Sequence, residues 1–187
     1  MRADAQHNVA RIVAAAARQF AAQSDPSLAA IAEEAGVSRV TLYAHFPDRD
    51  SLLDAAIRYV IEEVERAVAA AVRADHDEWG ELDAMIGNAW LAGARYRGLI
   101  LAVGVEGPVH ARHKDAIQAR TIELLTRGRR SGAFRTDQPV VWQVTLVQDL
   151  MVSAARLVES GGLTVSDVPG VMRGTLRAAL RATGGER

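Results

Sequence analysis

Apolar residues recur at spacings of three and four along nearly the whole chain, with no convincing alternation of period two, so the pattern predicts helices and no strand. Val9, Ile12, Val13, Ala16 and Phe20 make one stripe on a first helix, roughly residues 5–23. Pro26 blocks its continuation, and Asp25 or Ser27 can cap a second helix. Leu28, Ile31, Ala32 and Ala35 form the inward stripe of that second helix, with Ala32 small where two helices must cross closely. Gly36 then tolerates the unusual backbone conformation of a sharp turn, and Val37 plugs the corner. Ser38 reads as the N-cap of a third helix, Arg39 to His45, whose Leu42 faces inward with Val37 and Phe46. Arg39, Thr41, Tyr43, Ala44 and His45 are left between solvent and the inner edge. A short helix with one buried leucine and such side chains outside suits the major groove of DNA, where they reach base edges and phosphates. A solvated helical hairpin in an all-helical protein would show the same spacing.

Asp48 or Asp50 caps a long fourth helix reaching about Ala74, with Leu53, Ala56, Ile57, Val60, Ile61, Val64 and Val68 on its inner side. Further helices are expected over residues 79–94, 96–105 and 110–131, separated by Gly104, Gly107 and Pro108 and closed by Gly132. Pro139 fits the first turn of a helix running to about Glu159, which Ser160, Gly161 and Gly162 stop. A last helix runs from Ser166 or Asp167 to about Ala182. The helix ending at Glu159 is apolar on more than one face and needs a partner on each. The expected fold class is all-α: an N-terminal three-helix domain with a helix-turn-helix over 1–47, then a larger helical domain over 48–187.

Composition narrows the chemistry. The 187 residues contain no cysteine, which excludes disulfides, thiolate metal sites and a cysteine nucleophile. No stretch is long and apolar enough to span a membrane, and the N-terminal residues MRADAQHNVARIV lack the apolar run of a secretion signal, so a cytoplasmic protein is expected. The formal net charge of −1 does not advertise a polyanion partner. Even within 1–47, Arg2, Arg11, Arg18 and Arg39 are balanced by Asp4, Asp25, Glu33 and Glu34, so placement must decide.

The run AIAEEAGVSRVTLYAHFPDRDSLLDA resembles the DNA-binding signature of the tetracycline-repressor (TetR) family of bacterial transcriptional regulators. The family pattern reads IA, two variable residues, AGVS, one variable residue, GTLY, one variable residue and HF, then a basic residue and a pair of leucines. The resemblance implies that Ser38, Arg39, Val40, Thr41, Tyr43 and His45 lie at the DNA, with Tyr43 on phosphates or bases, and that Arg49 stands where a lysine usually meets the backbone. Two departures stand out. Val40 replaces the usual glycine and is bulkier at the DNA-facing start of the recognition helix, where it offers an apolar contact to a thymine methyl or changes how closely the helix approaches. The link from Ala21 to Ser27 is about two residues shorter than usual and lacks its customary glycine.

The same resemblance implies an inducer site in the middle helices. Trp79, Trp90, Tyr96, Trp142 and Met151 are candidates to line it, with His110, His113, Arg95 and Gln148 to orient a ligand. It also implies that the last two helices pair with their symmetry mates in a homodimer, through Val140, Val144, Val147, Met151, Ala155, Val158, Val171, Leu176 and Leu180. The expected partners are therefore a palindromic double-stranded DNA operator, a second copy and a small-molecule effector, with no membrane. Neither the polar cluster Asp75, His76, Asp77 and Glu78 nor the pair His110 and His113 makes a convincing metal site, the first reading better as a solvated cap. No serine elbow, phosphate loop or cofactor glycine pattern is present, so neither an enzyme nor a cofactor is expected. The competing class is an all-helical dimeric interaction protein that has lost sequence-specific DNA binding.

Overall fold

The computed structural model describes residues 2–71, 76–103 and 108–182, with side chains at 4–71, 76–102 and 116–182. The described helices are α1 (Arg2–Ala22), α2 (Leu28–Ala35), α3 (Arg39–His45), α4 (Arg49–Ala69), α5 (Glu78–Ala94), α6 (Arg97–Val103), α7 (Pro108–Ser131), α8 (Val140–Glu159) and α9 (Val168–Leu180). The described residues form no strand, only an isolated bridge between Phe134 and Arg181. None of the described helices is long and apolar enough to cross a membrane. Positive φ at Gly132 and Gly161 marks the ends of α7 and α8, where the sequence places stops. The chain divides into two compact units, one of residues 1–63 and 95–113, the other of 64–94 and 114–187.

The first unit is built on α1, whose Ile12, Ala15, Ala16 and Ala17 are fully buried. Ile31 and Ala32 of α2, Leu42 of α3, and Tyr96 and Leu99 before and within α6 share that core. Alanines on α1 let its neighbours come close. At Gly98 of α6 the approach is closer still, since a Cβ there would run into the carbonyl oxygen of Ala21. On α4 the buried stripe is centred on Leu52, Ala56 and Val60, at i, i+4 and i+8, and Leu53, expected inside, is only partly buried. The start of α4 is set by Asp48, whose Oδ1 accepts from the Ser51 amide at 2.7 Å. That bond and the one from the Ser51 hydroxyl hold the Asp48 carboxyl below its ordinary pKa.

The short α1–α2 link is tied down from a distance. Ser27, rather than Asp25, caps α2, its hydroxyl accepting from the Ala30 amide at 3.1 Å. Arg49 donates to the carbonyls of Pro26 (2.7 Å) and Ser24 (3.2 Å), and its guanidinium lies 4.9 Å from the centre of the Phe20 ring. The same head pairs with Asp25 at 2.8 Å, but Asp25 is 88% exposed, so solvent screens that contact.

In the second unit Leu82, Leu124, Leu125, Val144, Leu176 and Leu180 are buried. Phe134 is the apolar anchor of the α7–α8 link, wholly buried and edge-on to Trp79 with ring centroids 4.7 Å apart. Arg129 gathers that link by donating to the carbonyls of Arg135, Thr136 and Gln138 and to Oε1 of the fully buried Gln143. Glu81 is buried and neutralised by Arg127.

If the paired carbonyls and the Phe20 face make Arg49 valuable, Arg49→Ala lowers stability in urea unfolding by about 2 kcal/mol, Arg49→Lys recovers at most half of that, and Asp25→Ala costs less than about 0.5 kcal/mol. Equal losses for Arg49→Ala and Asp25→Ala would put the ion pair in charge instead.

Candidate nucleic-acid interface

The turn between α2 and α3 is closed by backbone bonds that only a particular conformation permits. Gly36 sits at φ 63°, ψ 37°, the left-handed region in which a side chain is strained. Its amide donates to the carbonyl of Glu33 and the Val37 amide to that of Ala32, both at 2.9 Å. These two bonds are the Schellman closure of a helix, and Val37 packs onto the core as that motif requires. Arg11 of α1 donates to the Gly36 carbonyl at 3.2 Å and occupies the space a Cβ would need. Sequence reasoning missed Arg11, because the two positions lie 25 residues apart and no local pattern links them.

Ser38 starts α3 as expected. Its Oγ accepts from the Thr41 amide at 3.0 Å and lies 2.8 Å from the Thr41 hydroxyl, so both side chains hold the first turn of the helix. Leu42 is 1% exposed and pins the opposite face, a burial of about 1.5–3 kcal/mol by area. With that face fixed, Val40 (79% exposed), Tyr43 (51%) and Ala44 must point outward, with Arg39 beside them. His45 is half-buried. The structure thus brings Ser38, Arg39, Val40, Thr41 and Tyr43 together on or beside one short helix, whereas the Arg49 head lies on the α1–α2 link.

Charge around this face is sorted in pairs. Glu34 is bonded by Arg18 at 2.6 Å and Gln19 at 2.5 Å, which ties α2 to α1 and offsets one of the two acids on that helix. Partial burial pushes the Glu34 carboxyl up, yet the Gln19 and Arg18 bonds and the Arg18 charge together hold it below its ordinary pKa. No acidic residue lies on α3, where Arg39 is exposed.

The candidates for an effector site fall in both compact units. Trp90 is buried and its indole N–H donates to the Val165 carbonyl at 2.8 Å. Tyr96 is buried in the first unit, edge-on to Tyr59 at 6.2 Å, and burial followed by the Tyr59 contact pushes its phenol pKa up. Arg95 beside it pairs with Glu63 at 3.4 Å. Trp79 lines a cleft of about 390 Å³ with Arg177, Ala178 and Arg181, the Arg177 guanidinium lying 5.1 Å from its ring centre. Trp142 is 55% exposed, Gln148 and Met151 are half-buried, and the side chains of His110 and His113 lie outside the described residues. Among the described residues no group of three or more acidic or histidine side chains is placed to hold a metal, and Asp77 caps α5 by accepting from the Gly80 amide at 2.7 Å.

The apolar faces of α8 and α9 divide between inside and outside. Val144, Val147, Ala155, Leu176 and Leu180 are buried within the chain itself, and Val140, Met151 and Val158 are half-buried. Outside are Val141, Trp142, Leu157 and Val171. Gly170 and Gly174 on α9 are exposed too, and a Cβ on either would meet nothing.

Residues 12–56, from the middle of α1 into α4, match the family model for bacterial regulatory proteins of the tetR family. Among curated proteins none matches the chain. Solved structures share its fold. A TetR family regulator from Marinobacter aquaeolei VT8 is 20% identical, covers 98% of this chain and 100% of its own, and superposes with a TM-score of 0.74. The TetR-like regulator LfrR of Mycobacterium smegmatis, solved with proflavine, is 21% identical over 95% of this chain and 99% of its own, with a TM-score of 0.71. A TetR regulator from Streptomyces coelicolor is 24% identical over 94% and 99%, with a TM-score of 0.64. The N-terminal helix-turn-helix is thus similar to that of the tetR family of bacterial regulatory proteins, and the chain shares the fold of solved TetR-family regulators.

Proposed function

We propose that the chain is a cytoplasmic, ligand-responsive transcriptional repressor that binds a palindromic operator as a homodimer. The observation that carries this reading is the outward face of α3, held by the Gly36 turn and the Ser38 cap and free of acidic residues. Residues 1–47 would read the DNA, and residues 48–187 would bind effector and second copy. In the groove, Tyr43, Thr41 and Arg39 reach phosphates and base edges, and His45 sits beyond them at the C-terminal end of the helix. Few cations are on offer, so affinity depends on presenting two such helices at once.

The dimer we propose uses the outer faces of α8 and α9. Trp142 and Leu157 supply apolar area, while Gly170 and Gly174 allow a partner helix to come close. This residue set differs from the one expected from the sequence, because Val144, Val147, Ala155, Leu176 and Leu180 already serve the chain's own core.

A small molecule bound preferentially by the form with the wrong spacing of recognition helices would release DNA by population shift. The proflavine complex of a protein with this fold supports an aromatic effector as the first class to try.

The test is a fluorescence titration of the full chain against the intergenic DNA beside its own gene, at several salt concentrations. Saturable binding is expected, with Tyr43→Ala weakening it about tenfold while the fold stays intact. Weak binding that ignores both sequence and Tyr43→Ala would favour the interaction-protein reading.

Sedimentation provides a second check. Trp142→Glu should convert a dimer to monomer and weaken specific DNA binding by at least about tenfold with the helix content unchanged. A variant that remains dimeric would remove this face from the interface.

A further inference from the structure

We infer that Val40 is a base-reading residue that selects thymine in the operator through its C5-methyl group, an inference that rests on the DNA-binding reading of α3. Among the described residues of the first compact unit, the large apolar side chains left exposed are Val40 and Tyr43, and they lie three apart on α3. Val40 is also the most exposed of all such residues, at 79%, so the fold makes little use of its side chain. Ala44, four residues on, extends the same outward face with another methyl.

Position within the helix matters as much as exposure. Val40 is the second residue of α3, directly after Arg39, and the N-terminal end of a recognition helix is the part that meets base edges. The Ser38 cap and its bond to Thr41 hold that end rigid. A β-branched side chain in a helix keeps essentially one χ1 rotamer, so its methyl groups are presented without a further ordering cost.

Valine can neither donate nor accept a hydrogen bond. Over guanine or cytosine it would strip water from the O6 acceptor or the N4 donor and give nothing back, whereas over thymine it covers the one apolar group the major groove displays. Discrimination therefore has an attractive part and a repulsive part.

Thymine and deoxyuridine differ only by that methyl group, which makes the test direct. Duplexes enriched by the full-length chain from a randomised pool would be resynthesised with deoxyuridine replacing each thymine in turn. One thymine per half-site should be sensitive, with about fourfold weaker binding on losing one methyl and about fifteenfold on losing both. In Val40→Ala, a substitution that favours the helix and so leaves the fold in place, the same replacements should change affinity by less than about twofold. Thymines that all tolerate deoxyuridine, or full methyl sensitivity in Val40→Ala, would overturn the inference while leaving the DNA-binding reading standing. Enrichment of no sequence at all would overturn both.

Discussion

The arrangement of the candidate DNA-reading helix depends on one backbone residue. Gly36 turns the chain through the left-handed region, and its own amide and that of Val37 close α2 onto its last carbonyls. The exposure of every side chain on α3 is set by where that turn aims the helix. Because α3 is only two turns long, burying Leu42 on one side leaves the opposite side no alternative to solvent or a ligand. The Arg11 guanidinium reinforces the turn from α1, so α1 helps to hold the conformation that aims α3.

The near-neutral charge of this region takes on a different meaning once the side chains are placed. Arg18 pairs with Glu34, and Arg49 pairs with Asp25 while holding the α1–α2 link. The Arg18–Glu34 pair and the bonds from Arg49 to the Pro26 and Ser24 carbonyls fix the packing of helices. The exposed face of α3 carries Arg39 and an aliphatic and aromatic surface, which on the proposed function would favour shape and base contact over a general attraction to phosphate. On the proposed function, affinity would come from two copies acting together.

The sequence made the local features legible. Helix periodicity, the Gly36 turn, the Ser38 cap and the buried Leu42 all come from spacings of one to four residues, and the structure has each of them. What escaped depends on distance along the chain. Arg49 reaches carbonyls 23 and 25 residues away, and Arg11 reaches Gly36 over a similar span, which no local pattern encodes. Periodicity also marks an apolar face without naming the surface it meets. That is why Leu176 and Leu180, expected at a dimer contact, lie in the chain's own core, while Trp142, expected at a ligand, stands outside. On α4 the expected stripe holds at Ala56, Ile57, Val60, Ile61 and Val68, and Leu52 rather than its neighbour Leu53 completes it.

The central claim is that the outward face of α3 enters the major groove in two symmetric copies. The most direct measurement is a dimethyl sulfate footprint of the full-length chain on a duplex it selects, since this reagent reports guanine N7 in the major groove and adenine N3 in the minor groove. The account predicts two patches of protected guanine N7 about 10 base pairs apart, or a multiple of that, with adenine N3 between them still reactive. Protection confined to adenine N3, or a single patch without a symmetric counterpart, would contradict it.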